Sequence, residues 1–175
     1  MSHDTHHHQK ESFITKYIFS QDHKMIARQY LLTAIFMGAI GIALSALFRL
    51  KLGWPDDKFP ILESILGSDA APDGLLDSNW YLGLVTLHGT IMVFFVLTGG
   101  LSGTFSNLLI PLQIGARDMA SGLMNMISYW LFFLSSILMA ASLFIETGPA
   151  MAGWTVYPPL SVLAEFQPGS GLGMT

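Results

Sequence analysis

The sequence predicts an all-α integral membrane protein with three transmembrane helices. Of its 175 residues, 51% are hydrophobic and only 11% are charged, whereas soluble domains carry about 25% charged residues. The mean hydropathy of +0.51 agrees with this composition. Three apolar runs each reach the roughly 20 residues that a helix needs to cross a bilayer, so the lipid bilayer is the first expected partner.

Composition also excludes several classes of site. The chain has no cysteine, which rules out disulfides, zinc–thiolate sites and iron–sulfur ligation by its own residues. Its net charge of −4 is modest and predicts no nucleic-acid partner.

The first apolar run predicts a helix over about residues 29–48, which carry no charge. Residues 1–28 before it are polar and are expected to form a cytoplasmic N-terminal arm. The helix is expected to end at Arg49 and Lys51. Histidines cluster near the start of the arm, and we interpret them as part of a polar terminus and not as a metal site: His3, His6, His7 and His8.

A polar, acidic loop is expected to reach about Asn79, and the second helix is predicted over about 80–105. The apolar run that holds it is too long for one straight span. Glycines and a proline are natural places for a helix to end, so an interfacial segment is expected to continue to about Arg117. The residues concerned are Gly99, Gly100, Gly103 and Pro111.

The third helix is predicted over about 123–145, and a polar loop follows it. The aromatic residues of that loop, Trp154 and Tyr157, suit a membrane interface. Residues 29–175 together would then form one transmembrane unit.

Lysine and arginine residues predict the orientation, because they are enriched on the cytoplasmic side. Five lie on the side of the N-terminus: Lys10, Lys16, Lys24, Arg28 and Arg117. Three lie on the other side: Arg49, Lys51 and Lys58. This bias predicts a cytoplasmic N-terminus.

His88 is the most informative residue, because no residue from Trp80 to Gly115 carries a fixed charge and His88 is their only imidazole. A polar group at membrane depth usually faces the protein interior, water or a cofactor. Imidazole is also a common axial ligand of haem iron. The alternative is a buried histidine hydrogen-bonded to a hydroxyl or a carbonyl.

Several motifs resemble subunit I of the haem–copper oxidases, specifically cytochrome c oxidase. They cover about residues 20–170, and the long blocks are the most specific: His88-Gly-Thr-Ile-Met-Val-Phe-Phe95, Asn107-Leu-Leu-Ile-Pro-Leu-Gln-Ile-Gly-Ala-Arg-Asp-Met-Ala120, Asn125, Ser128-Tyr-Trp130 and Gly153-Trp-Thr-Val-Tyr-Pro-Pro-Leu-Ser161, with Asp22-His-Lys24 and Leu47-Phe-Arg49 upstream. The resemblance implies that 29–175 is the N-terminal part of the larger helical bundle of a proton-pumping terminal oxidase.

The resemblance assigns two residues to the low-spin haem. His88 matches one of its two axial histidines. Arg49 matches an arginine beside that haem, which hydrogen-bonds the formyl group when the haem is of the a type; haem a is therefore the expected cofactor. A snorkelling arginine at a helix end is the alternative for Arg49.

The resemblance also implies a proton channel entry. Asp118 matches the carboxylate at the channel mouth, and Asn107 and Asn125 match asparagines that hold water just inside it. Amides can orient water without titrating. The alternative for Asp118 is an N-cap of the third helix.

The sequence departs from the family pattern at three points. Ser121-Gly122 replaces a Phe-Pro pair, and Met126 replaces a second asparagine beside Asn125, so the inner mouth is expected to be more flexible. Lys51 stands where some members carry a glutamate that binds calcium or sodium, so no such ion site is predicted.

Two further residues bear on the electron donor. Related quinol oxidases carry an arginine and an aspartate on the first helix for quinol, at the positions of Ile40 and Leu44 here. Neither side chain can hydrogen-bond a quinol, which favours cytochrome c as donor.

Three helices do not make a complete oxidase. The second axial ligand, the ligands of the oxygen-reducing haem and the copper ligands all lie on later helices of the family, so no copper ligand is expected here. We expect a fragment, a split subunit or a truncated one in a bacterial inner membrane. The implied partners are the remainder of subunit I, a copper-bearing subunit II, subunit III and cytochrome c.

Other functions remain open at this point. The chain could be a non-catalytic membrane helper with a truncated oxidase-like fold, and absence of haem would favour that interpretation. It could belong to a quinol oxidase. A nitric oxide reductase relative is disfavoured by the block around Asp118. Unrelated transporters are the generic alternative for three apolar helices, but they would not require the pairing of His88 with Arg49.

Overall fold

The computed structural model describes residues 12–145 and 148–163, and within them all regular structure is helical. Three helices are long and apolar enough to cross a membrane, which confirms the predicted fold class. The histidine cluster of the arm lies outside the described residues. We number the helices α1 His23–Gly53, α2 Pro60–Leu66, α3 Ser78–Gln113 and α4 Gly122–Ala141.

Helix α1 is longer at both ends than the apolar run predicts. It begins at His23 because the Asp22 carboxylate accepts the Lys24 backbone N–H at 3.4 Å and so caps the first turn. It continues through Arg49 and Lys51 to Gly53. Cations in the last turns do not end a helix, since they interact favourably with the negative end of its dipole.

The loop between α1 and α3 packs against the ends of both helices. It contains α2 and a single 3₁₀ turn, and Leu62, Ala70 and Ala71 within it are almost fully buried. Phe59 donates its backbone N–H to the Gly74 carbonyl at 2.9 Å. Gly74 has a φ of +78°, and a Cβ there would lie 2.8 Å from the Phe59 carbonyl carbon, so this close turn requires glycine.

Helix α3 does not end where its glycines and proline predict. It begins after Asp77, whose carboxylate accepts the Asn79 N–H at 2.7 Å, and it continues to Gln113 with a π-helical segment at Ile91–Ser102. The prediction of an end near residue 105 is therefore wrong. A glycine in the middle of a helix lets a neighbour approach closely, and a Cβ on Gly100 would overlap the Ala34 side chain of α1.

Replacing Gly100 with valine is expected to destabilise the contact between α1 and α3 by about 1–3 kcal/mol, the usual cost of overpacking. The new side chain would collide with Ala34, which lies on a rigid helix. Thermal denaturation of the purified membrane protein measures this loss. Gly53→Val is the control, because Gly53 has open space around it; equal destabilisation of both variants would contradict the close-contact explanation.

Helix α4 packs on α1 through aromatic side chains. The ring of Tyr129 lies edge-on to that of Tyr30, with 5.2 Å between centroids, and its hydroxyl is 3.2 Å from Thr33 Oγ1. Ser121 caps the helix by accepting the Met124 N–H at 3.4 Å. The alternative that Asp118 caps this helix is therefore wrong. A 3₁₀ turn at Ser142–Phe144 follows α4.

Candidate functional site

His88 lies on α3, ten residues after the helix begins, which is about 15 Å along its axis. Its side chain is half-buried, and Nδ1 is 2.8 Å from the carbonyl oxygen of Gly41 on α1. A carbonyl can only accept, so Nδ1 carries the hydrogen and Nε2 of the neutral ring carries the lone pair. A second ring nitrogen held by a carbonyl is the usual arrangement of a metal-binding histidine.

Phe48 links His88 to Arg49. Its ring is T-shaped to the imidazole of His88, with 5.6 Å between centroids, and the Arg49 guanidinium carbon lies 5.4 Å from the centre of the same ring. Phe48 is buried, whereas Arg49 is exposed. The Gly41 carbonyl thus fixes Nδ1 of His88, and the Phe48 ring packs against the imidazole. The Arg49 side chain stays exposed beside them.

The loop after α4 packs against the same part of α3. The backbone N–H of Gly153 donates to Thr86 Oγ1 at 2.9 Å. Trp154 packs closely against Gly89, the residue after His88. A Cβ added to Gly89 would lie 3.0 Å from the indole ring of Trp154. Trp154 keeps 47% of its surface exposed, so this loop borders the region of His88 without enclosing it.

Asp118 lies at the other end of α3, in an exposed position after the helix ends. One of its carboxylate oxygens accepts two backbone N–H groups, from His23 at 3.2 Å and from Met119 at 2.7 Å. The first of these bonds joins the chain after α3 to the first residue of α1. Asp118 therefore holds the start of α1 while its carboxylate stays open to solvent.

His23 connects this end of α1 to α3 and was not singled out from the sequence. It is 1% exposed, and its Nδ1 is 3.1 Å from the Asn107 carbonyl oxygen. Pro111 explains why the Asn107 carbonyl lacks its usual hydrogen-bond partner within its own helix. A proline has no N–H, so the carbonyl four residues earlier in the helix loses its usual partner, and His23 donates to it instead.

Asn107 and Asn125 contact each other directly. Asn107 is 4% exposed and uses its own amide N–H to donate to Gly103 O at 2.7 Å. Asn125 donates from Nδ2 to Asn107 Oδ1 at 2.5 Å. The structure thus brings together two of the residues that the sequence resemblance singles out, although they are 18 positions apart.

Hydroxyl groups continue this polar arrangement into the helix interface. Ser128 donates to the Asn125 carbonyl at 2.7 Å, and its Oγ lies 3.3 Å from the Tyr30 hydroxyl. Tyr30 is itself 7% exposed. Hydrogen bonds therefore join a row of polar groups from Asn107 through Asn125 and Ser128 to Tyr30.

Asp22, His23 and Asp118 form a cluster whose ligand atoms lie within 4.8 Å of one another. Both carboxylates accept backbone N–H groups at the start of α1. Those hydrogen bonds give the cluster a structural role in starting the helix.

The two groups of residues are well separated along α3. His88 and Asn107 are 19 residues apart, with the π-helical segment Ile91–Ser102 between them. Both therefore lie on one helix that is long enough to cross a membrane, at different depths along its axis.

Comparison with known proteins identifies one family across most of the chain. The model of the family "Cytochrome C and Quinol oxidase polypeptide I" matches residues 25–174. This match includes all five residues that the sequence analysis placed in a site.

Curated relatives carry related names. The chain is 42% identical over 163 residues to "Alternative cytochrome c oxidase subunit 1" of Bradyrhizobium diazoefficiens, covering 93% of this chain and 25% of that protein. It is 37% identical to "Heme-copper oxidase subunit I+III" of Aeropyrum pernix, with 93% and 18% covered. It is 38% identical to "Probable quinol oxidase subunit 1" of Staphylococcus aureus, with 90% and 22% covered. The chain spans a quarter or less of the length of these relatives.

Proposed function

Because this chain belongs to the cytochrome c and quinol oxidase polypeptide I family, we propose that it forms the N-terminal part of the catalytic subunit of a terminal respiratory oxidase. The complete enzyme would reduce oxygen to water with electrons from cytochrome c and pump protons. One observation carries the proposal: His88 has Nδ1 fixed by the Gly41 carbonyl at 2.8 Å and Nε2 left without a hydrogen-bond partner among the described residues.

The residues around His88 fit a haem. His88 would hold the iron through Nε2, and Phe48 would keep the imidazole plane in place by its edge-to-face contact. Arg49 would donate to a polar substituent of the ring, such as the formyl group of haem a. Bound haem would supply one-electron transfer, and His88 would be the residue of this chain that holds its iron.

The polar row at the other end of α3 fits proton entry. Asp118 is exposed and ionisable, so it can collect protons from the aqueous phase. The amides of Asn107 and Asn125 are joined by a hydrogen bond and do not titrate, so they would orient water just inside the mouth. The distribution of lysine and arginine supports a cytoplasmic position for this end. Proton uptake there, with electron entry at the opposite side, would generate membrane potential.

The first helix supports cytochrome c as the donor. Leu44 is 2% exposed and belongs to the main hydrophobic core, and Ile40 packs against that core. Apolar and packed side chains at these positions offer a quinol no hydrogen bond. The Staphylococcus relatives, named as probable quinol oxidases, make quinol oxidation the second candidate function.

Oxygen consumption by the purified membrane complex distinguishes the two donors. We expect reduced cytochrome c to support turnover at least tenfold faster than a ubiquinol analogue at equal concentration. Faster turnover with the quinol would make the complex a quinol oxidase. A complex with no haem absorption and no turnover with either donor would support a non-catalytic membrane helper instead.

The remaining parts of the enzyme would come from other segments and chains. The rest of subunit I would supply the ligands of the second haem and of the copper beside it. Subunits II and III would complete the complex. We propose a bacterial inner membrane as its location.

A further inference from the structure

Two residues of α3 meet the same glycine of α1. His88 is bonded through Nδ1 to the Gly41 carbonyl oxygen at 2.8 Å. Met92, four residues later on α3, packs against the same glycine: a Cβ added to Gly41 would lie 2.9 Å from Met92 Sδ and 3.6 Å from Met92 Cγ. Gly41 is buried and Met92 is half-buried. The Met92 side chain therefore takes up the space that a side chain at position 41 would need.

This contact is tighter than that of the glycine one turn earlier on α1. A Cβ on Gly38 would lie 3.6 Å from Val96 Cγ2, which is ordinary van der Waals contact, whereas real Cβ atoms essentially never come within 3.0 Å of a neighbour. Gly41 is thus pressed against α3 more closely than Gly38 is. The close packing falls on the residue whose carbonyl holds the imidazole of His88.

The position of the Gly41 carbonyl decides the strength of its hydrogen bond to His88. A carbonyl inside a helix accepts the backbone N–H four residues later, so the imidazole uses its second lone pair. Hydrogen bonds weaken when their length and angle depart from the optimum. A small displacement of Gly41 is therefore enough to change the bond to Nδ1.

That bond acts on the other nitrogen of the ring. A hydrogen bond from one imidazole nitrogen to a carbonyl raises the basicity of the nitrogen that binds a metal. Hydrogen bonding around the axial ligand is also one of the means by which a protein sets the reduction potential of haem. A weaker bond to Gly41 makes Nε2 less basic, stabilises ferric iron less and raises the potential.

We infer that Met92 is a positioning residue that sets the reduction potential of the low-spin haem through Gly41 and His88. The inference rests on the proposed function, in which His88 holds the haem iron. The Met92 thioether supports Gly41 from one turn of α3. The imidazole of the preceding turn bonds to its carbonyl, so the thioether keeps that carbonyl in line with Nδ1.

A redox titration of the purified membrane complex, followed at the low-spin haem band, tests the contact. Gly41→Ala places a Cβ against Met92 Sδ and displaces the carbonyl. At a fixed ambient potential we expect the ratio of reduced to oxidised haem to rise at least about threefold, which is roughly 28 mV for a one-electron couple. Gly38→Ala is the matched control and is expected to leave the ratio unchanged. Equal shifts in the two variants would overturn the inference.

A double-mutant cycle tests the role of Met92 itself. Met92→Ala removes the support of Gly41 and is expected to raise the potential as well. Met92→Leu retains an apolar side chain of similar volume, so we expect less than half of that shift. In the variant that combines Gly41→Ala with Met92→Ala, the new Cβ fills part of the vacated space. The combined shift is then smaller than the sum of the two single shifts, and an additive result would show that the residues do not act through a shared contact.

The electron paramagnetic resonance spectrum of the oxidised complex provides a readout that packing alone does not move. The g-values of ferric low-spin haem respond to the electron donation of its axial imidazole. We expect them to shift in Gly41→Ala and Met92→Ala and to stay constant in Gly38→Ala. Lower thermal stability of the Met92 variants with unchanged g-values and potential would overturn the positioning role.

Haem content separates this inference from the proposed function. A wild-type complex without low-spin haem would overturn the proposed function and the inference together. A complex that binds haem through His88 but whose potential is insensitive to Gly41→Ala and Met92→Ala would overturn the inference alone. None of these measurements depends on turnover.

Discussion

Replacing His88 with alanine is expected to abolish the absorption of the low-spin haem in the purified complex. The Gly41 carbonyl fixes the ring so that Nε2 carries the free lone pair, and no other imidazole lies on α3. Alanine leaves that iron with one protein ligand at most. A reduced-minus-oxidised optical spectrum, read against the protein concentration, measures the loss.

His23→Gln is the matched control for this experiment. His23 is also a buried histidine whose Nδ1 is bonded to a backbone carbonyl, but it lies on α1, beside the other end of α3. Its replacement is expected to leave the low-spin haem band intact. An unchanged band in His88→Ala would refute the ligand assignment, and an equal loss in both variants would indicate a general folding defect.

Replacing Asp118 with asparagine is expected to slow proton uptake by about tenfold or more without changing haem content. Asparagine keeps an oxygen that can accept the His23 and Met119 N–H groups, so the start of α1 is preserved. It cannot bind and release a proton near neutral pH, and a positioned acid–base group commonly contributes a factor of about 10²–10⁴. Proton uptake by the complex in vesicles measures the effect.

Asp22→Asn is the control for the position of the carboxylate. Asp22 is exposed at the same helix start and also accepts a backbone N–H. Its side chain makes no hydrogen bond to Asn107 or Asn125. We expect less than a twofold change in proton uptake. If Asp118→Asn turned over and pumped normally, proton entry would have to lie elsewhere.

The extent of the helices could be predicted only in part. Apolar runs indicated all three membrane-spanning helices, because about 20 uncharged residues have few other stable conformations in a bilayer. Their ends depended on capping, as at Asp22 and Ser121. Helix α3 continues through Gly100, where it packs closely against Ala34 of another helix, and no local sequence pattern contains that contact.

The candidate site divides in the same way. His88 came from its isolation in an uncharged run as well as from motif resemblance, and Arg49, Asp118, Asn107 and Asn125 came from resemblance. Their roles stay predictions. His23 was missed because its partner is distant in the chain. Pro111 was the available signal, since a proline inside a helix leaves the Asn107 carbonyl in need of a donor. The sequence does not say which donor that is.

The amino-acid sequence by itself determined that the chain is a membrane protein of three spanning helices in this family, because hydropathy and long motifs are local properties. Only the tertiary structure decided which groups meet: His88 with Gly41 and Phe48, Asn107 with Asn125 and His23. Those contacts join residues on different helices. Their formation depends on the packing geometry of small and aromatic side chains at the seams, and that geometry is a property of the whole fold.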